Sequence, residues 1–246
     1  MSVLPTATKA ASEVLAKAAI ATGSTYKILY FAIHGRGELI RTLMIQGGDK
    51  YEELPVDWAV QKELTPFKCL PVVYETAASG ETLELSESQA IERYLARKYH
   101  LLGANAWEEH LVNRYFNSTD AAQNSFGTSV LGVQGDARVE AANTYYKETL
   151  AKWIRLHEEH LKQNGSNGHY VGNGLTLADY KTALLVDRLL LLHPKGAEAV
   201  PLSEQATPNI WKVREAVHSQ KHIAQWKKSE RCQELDQGTL KMFKFI

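Results

Sequence analysis

The stretch Tyr26-Lys-Ile-Leu-Tyr-Phe-Ala-Ile-His-Gly-Arg-Gly-Glu-Leu-Ile-Arg41 changes its periodicity halfway along. Residues 27–33 are aromatic and β-branched enough for a buried strand, and Gly35 and Gly37 break it. Past the glycines, Leu39, Ile40, Leu43 and Met44 recur three and four residues apart, so a helix is expected over 38–47. Residues 51–56 read as a second short strand. Strand, glycine turn, helix and strand make a βαβ unit, with Tyr26 and Tyr30 on one face of its first strand.

Downstream, residues 70–75 and 82–85 are strand-like, and the connector Thr76-Ala-Ala-Ser-Gly80 has hairpin length, so these strands should be antiparallel. A helix over 88–99 completes a small mixed sheet covered by helices, and residues 101–105 read as a domain linker. Beyond residue 106 strand signals nearly vanish, and helical periodicity runs over 107–133, 138–163, 176–192 and 208–228. Thr176-Leu-Ala-Asp179 has the form of a capping box, flanked by Leu175 and Tyr180 as a hydrophobic staple, and marks the start of a buried helix. The expected fold is an α/β domain over 25–103 followed by an all-α domain over 104–246, with an arm over 1–24.

A chain of 246 residues is comfortable for two domains. Its 28 basic and 28 acidic side chains leave no net field to recruit nucleic acid or an anionic membrane. Asp187 and Arg188 interrupt the most apolar run, so no membrane span is expected. Two distant cysteines, Cys69 and Cys232, suit a reducing, cytoplasmic setting better than a disulfide framework. The first two dozen residues contain no arginine, unlike a mitochondrial presequence. Ala11, Val14, Leu15 and Ala18 fall at helical spacing there, which predicts an amphipathic arm lying on the body or on a partner subunit.

In register with the opening stretch stand Trp58 with Lys62, Leu70-Pro71, Glu87-Ser88 and the Thr176/Asp179 box. From about residue 25 to about residue 228 this order and spacing resembles the cytosolic glutathione transferases, specifically their tyrosine classes alpha, mu, pi and above all sigma. The resemblance implies a thioredoxin-like N-terminal domain that binds glutathione as co-substrate, a helical C-terminal domain, a homodimer and a role in detoxification. It also implies a small hydrophobic electrophile as second substrate, and conjugation, isomerisation of the prostaglandin-synthase kind or peroxide reduction without a metal. The alternative is a protein of the same fold with a mainly structural, storage or ligand-binding role and little catalysis. The arm, the phenylalanine-rich tail, Cys69 and Glu87 point that way, whereas Tyr30, Trp58, Lys62 and Ser88 argue for the enzyme.

The free glutathione thiol is mostly protonated at neutral pH, and the thiolate is the nucleophile. A phenol that donates a hydrogen bond to sulfur favours the charged form. Tyr30 occupies the family's catalytic position, at the carboxyl end of the strand where open sheets bind ligands; Tyr26 is its rival. Arg36 matches the arginine that supports the thiolate in sigma-type relatives. Leu70-Pro71 matches the family's cis-proline step, which offers the Leu70 backbone to the cysteinyl part of glutathione like an added strand. Glu87 and Ser88 stand at a helix start, where the dipole attracts an anion; Ser88 matches the partner of the γ-glutamyl carboxylate, and Glu87, where many relatives carry Gln, is able to hold its amine. Trp58 and Lys62 match the indole and ammonium that face the glycyl carboxylate, and Cys69 stands where Lys or Gln is common in relatives. Counting along the first long helix puts Asp120 or Ala121 near the acid that sigma-type relatives take from the neighbouring subunit. Phe31, Ile33, His34, Tyr115 and Phe116 are expected to line the second-substrate pocket, with Phe243 and Phe245 of the tail close by.

Overall fold

The computed structural model describes residues 4–20 and 22–245; residues 1–3, 21 and 246, part of the expected arm and tail, lie outside the described residues. The chain divides into two compact units, Met1–Tyr99 and His100–Ile246.

In the first unit, β1 (Thr25–Leu29), β2 (Tyr51–Leu54), β3 (Val72–Thr76) and β4 (Thr82–Ser86) form one sheet in the order β2-β1-β3-β4. β1 and β2 are parallel, joined through α2 (Glu38–Gly47), whereas β1–β3 and β3–β4 are antiparallel. Alternation splits β1 between two faces: Tyr26 and Ile28 go one way, and Leu29 joins Leu54, Val72 and Tyr74 in a cluster on the other. α2 packs against α4 (Ser88–Lys98). β1 stops at Leu29 rather than running to residue 33, so Tyr30 follows the strand instead of belonging to it. The reason lies in its neighbours: Pro55 follows β2 and Pro71 precedes β3, and neither has an N–H to extend the ladder.

The described part of the arm lies on this unit. The Thr8 N–H donates to the Thr82 carbonyl at 2.8 Å, and the Thr82 N–H donates to the Thr8 hydroxyl at 2.8 Å, which occupies the start of the edge strand. Leu4 packs on the Leu29 cluster beside Val56 and Leu70. α1 (Ser12–Ile20) buries Ala18, and the Tyr94 hydroxyl donates to the Ala19 carbonyl at 3.3 Å. Ser24, Tyr94 and Lys98 all donate to the fully buried Glu75 carboxylate, which compensates its desolvation.

The second unit is helical: α5 (Ala106–Phe126), α6 (Asp136–Tyr145), α7 (Ala151–Gln163), α8 (Leu177–Leu191), α9 (Pro208–His218), α10 (Lys221–Lys227) and α11 (Glu230–Met242). π-helical turns at Gly127–Leu131 and Tyr146–Leu150 continue α5 and α6. α8 is the core helix, packed against α5 and α9. Its capping box forms: Asp179 accepts from the Thr176 N–H and hydroxyl, both at 2.7 Å, and from the Tyr170 N–H at 2.9 Å.

Three expectations differ here. The segment 101–105, expected as a linker, is packed at the start of the second unit: Leu101 and Leu102 are buried and the Leu101 carbonyl accepts from the Leu177 N–H at 2.9 Å. The expected helix over 208–228 is two helices, since Gln220 is extended at φ −63°, ψ 128°. α11 was not expected from sequence, although Ser229 caps it through the Cys232 N–H. Among the described residues no helix is long and apolar enough to cross a membrane.

Candidate active site

Around Tyr30 the N-terminal unit brings together groups that are remote in sequence. The chain turns at Gly35–Gly37, one turn of 3-10 helix, and the Arg36 N–H donates to the Tyr30 hydroxyl at 2.8 Å. An amide donating to a phenol oxygen polarises its O–H and makes it a better donor in turn. A Cβ on Gly35 would stand 2.3 Å from the Tyr30 hydroxyl and one on Gly37 2.6 Å from its ring, so only glycines let the turn close on the phenol. The half-buried Tyr30 tilts on Phe31 at 5.9 Å, and Phe31 meets Trp58 edge-on at 6.3 Å.

The Arg36 guanidinium reaches across to Ser88, its Nη1 3.4 Å from the hydroxyl oxygen. Ser88 opens α4, and Glu87 before it holds φ 65°, ψ 107°, a strained backbone of the kind found at ligand clamps. The Cys69 thiol is 3.5 Å from the Glu87 carboxylate; burial, then Glu87, pushes that thiol up and makes it a poor nucleophile. The Leu70–Pro71 peptide bond is cis. Trp58 begins α3 (Trp58–Gln61), and exposed Lys62 follows one turn on, its N–H donating to the Trp58 carbonyl. Tyr30, Arg36, Ser88, Glu87 and Cys69 thus form one linked set, with Trp58 joined through Phe31.

Tyr26, the rival phenol, is placed differently. It is 2% exposed inside the sheet, and burial, then the Glu75 and Asp49 carboxylates, drives its phenol far above the ordinary range. Ile33 and His34 are buried, and His34 Nδ1 lies 3.3 Å from Glu38, so of the expected second-substrate residues in this unit only Phe31 keeps a half-exposed ring.

The C-terminal residues are placed otherwise than expected. Asp120 is buried with Lys181 at 2.7 Å and accepts from Asn124 at 2.8 Å. Its neighbour Ala121 is exposed and brings no acid. Phe116 is fully buried with the Lys181 ammonium 5.2 Å over its ring. Tyr115 stacks on Tyr170 at 4.8 Å with its hydroxyl accepting from Arg114. All three lie in the interior of the helical unit, engaged by apolar packing and pairing inside the bundle. The tail is likewise engaged: Arg138 donates to the Phe243 carbonyl at 2.7 Å and lies 4.8 Å over the Phe245 ring.

One residue escaped sequence reasoning. Arg41 is 1% exposed and points into the loop behind Tyr30. The signal was there: Arg41 follows Gly37 by one helical turn and precedes Met44 by another, on the apolar side of α2.

Residues 122–230 match the family model described as glutathione S-transferase, C-terminal domain. Over 208 residues the chain is 30% identical to the probable glutathione S-transferase 8 of Caenorhabditis elegans, covering 82% of this chain and 94% of that relative. Among solved structures it is similar to the monomeric Na-GST-3 of the hookworm Necator americanus, with a TM-score of 0.71 and 25% identity over 84% of this chain and 97% of that one. It shares its fold with the Fasciola hepatica sigma class GST, with a TM-score of 0.73 and 22% identity over 83% of this chain and 96% of that one. With identity of this order sustained over nearly the whole length of a relative, the chain belongs to the glutathione S-transferase family.

Proposed function

We propose that this glutathione transferase generates its nucleophile on Tyr30. The observation that carries the reading is the 2.8 Å hydrogen bond from the Arg36 N–H to the phenol oxygen, which orients the phenol and leaves its O–H to donate to a thiolate. Glutathione fits the linked set by its chemistry. Its γ-glutamyl carboxylate goes to Ser88 at the start of α4, and its amine to Glu87. Its cysteinyl backbone pairs beside Leu70 and Pro71, and its glycyl carboxylate meets Trp58 and Lys62. The Arg36 guanidinium, beside Ser88, adds positive potential on the thiolate's side of the turn.

The thiol gives its proton to solvent, the thiolate attacks an electrophilic carbon, and the new thioether leaves with the displaced group or with a proton taken up from water. The second substrate is a small hydrophobic electrophile, with Phe31 the aromatic surface the N-terminal unit offers it. A homodimer belongs to the same reading: Val60, Leu64 and Phe67 are 50%, 62% and 65% exposed along one segment, an apolar surface suited to a second copy. The similar Na-GST-3 of Necator americanus is described as monomeric, so the mass in solution decides the point. Free Cys69 and Cys232 support a cytoplasmic setting.

The test is ultraviolet absorbance of the thiolate as glutathione is titrated into wild type and Tyr30→Phe across neutral pH. Wild type should hold bound thiolate well below the free thiol's titration range. Tyr30→Phe should lose it and about ten- to a thousandfold in turnover, with glutathione affinity near wild type. Equal thiolate in both proteins would overturn the assignment of Tyr30.

A further inference from the structure

Arg41 is a charged residue that the N-terminal unit keeps fully inside, and a guanidinium does not discharge itself by losing its proton. Burying it is costly unless its donors are used. Nε lies 2.6 Å from the Glu53 carboxylate, Nη1 donates to the Ile33 carbonyl at 3.0 Å, and Nη2 donates to the Phe31 carbonyl at 3.3 Å. Those carbonyls belong to the loop that follows Tyr30 directly. The guanidinium carbon is 5.7 Å from the centre of the Tyr30 ring, and a Cβ on Gly37 would meet Nη1 at 3.0 Å. The glycine turn therefore closes over both the phenol and the cation behind it.

We propose that Arg41 is a positioning residue for Tyr30: it fixes the loop over residues 31–33 and sets the direction of the phenol toward the bound thiolate. The proposal rests on the reading of Tyr30 above. Arginine suits the task because its planar fork reaches two carbonyls and a carboxylate at once, whereas a lysine at this position keeps the charge and loses the fork. A residue that only filled the core would affect stability and leave the thiol's titration unchanged.

The experiment compares wild type, Tyr30→Phe, Arg41→Lys and the double variant by ultraviolet titration of bound glutathione, together with kcat on a chromogenic aryl halide, glutathione affinity and thermal unfolding. Arg41→Lys should raise the midpoint of thiolate formation by about half a unit to one unit and lower kcat about tenfold, with affinity within about threefold of wild type. In the double variant the lysine should add little to the effect of Tyr30→Phe, because both act through one hydroxyl. A wild-type midpoint in folded Arg41→Lys, or full additivity in the double variant, overturns the proposal. Should Arg41→Lys fail to fold, Glu53→Gln carries the test: it loosens the fork and unmasks the Arg41 charge, so a shifted midpoint supports the proposal and a wild-type midpoint sinks it. An unchanged midpoint in Tyr30→Phe overturns the reading of Tyr30 itself, whereas a shift there without one in Arg41→Lys overturns the role of Arg41 alone.

Discussion

The two units handle polar side chains in opposite ways. Around Tyr30 the N-terminal unit uses backbone groups and glycines to bring polar side chains together: the half-buried phenol on the Arg36 amide, Ser88 and Glu87 at a helix start, Cys69 beside them. The C-terminal unit pairs its polar groups with one another: Asp120 with Lys181, Asp179 with its capping box, Asp187 with Arg214, His218 and Lys227. Residue type alone does not separate a site from a core. Position decides, because Glu87 and Ser88 at the start of α4 stand beside the Tyr30 turn, whereas Thr176 and Asp179 at the start of α8 are paired inside the bundle.

The sharpest way to break this comparison is Asp120→Ala. Stripping the buried Lys181 ammonium of its carboxylate should cost about 3–5 kcal/mol in denaturant unfolding and leave glutathione affinity unaltered. Loss of affinity at unchanged stability would return Asp120 to the ligand.

Next in size is a pH effect. Burial, helped by His160, lowers His157 from the ordinary 6.5 to about 3, so the unfolded chain takes up that proton first as the solution is acidified. Stability is then lost as pH falls from about 6.5 toward 3, at up to about 1.4 kcal/mol per pH unit from this group. Replacing His157 by Phe should remove that share of the slope, read from unfolding midpoints across the range. An unaltered slope would show that the helical unit does not hold this imidazole neutral. The smallest effect is expected from Lys62→Ala, whose exposed ammonium should contribute about 1 kcal/mol or less, a loss of threefold to fivefold in glutathione affinity by calorimetry. A hundredfold loss would mean that Lys62 is held far more tightly on the ligand than its exposure suggests.

The legible parts of the sequence were those with local causes. Alternation and helical spacing located the four strands and most helices, the glycines located the turn, and Thr176 with Asp179 located the start of α8. The end of β1 was misjudged because it depends on Pro55 and Pro71 in the strands beside it, which are distant in sequence. The burial of Tyr115, Phe116 and Asp120 was not legible because a long helix shows several faces, and the one that is core depends on where α7 and α8 pack.

By itself, then, the sequence determined the two-unit architecture and the residues clustered around the glycine turn, since periodicity, turn chemistry and capping act over a few residues. Only the tertiary structure showed Tyr26, Asp120 and Phe116 buried, Tyr30 half-buried at the turn, and Arg41 behind the phenol. Burial and charge pairing depend on partners far apart in the chain, and folding alone brings them within reach.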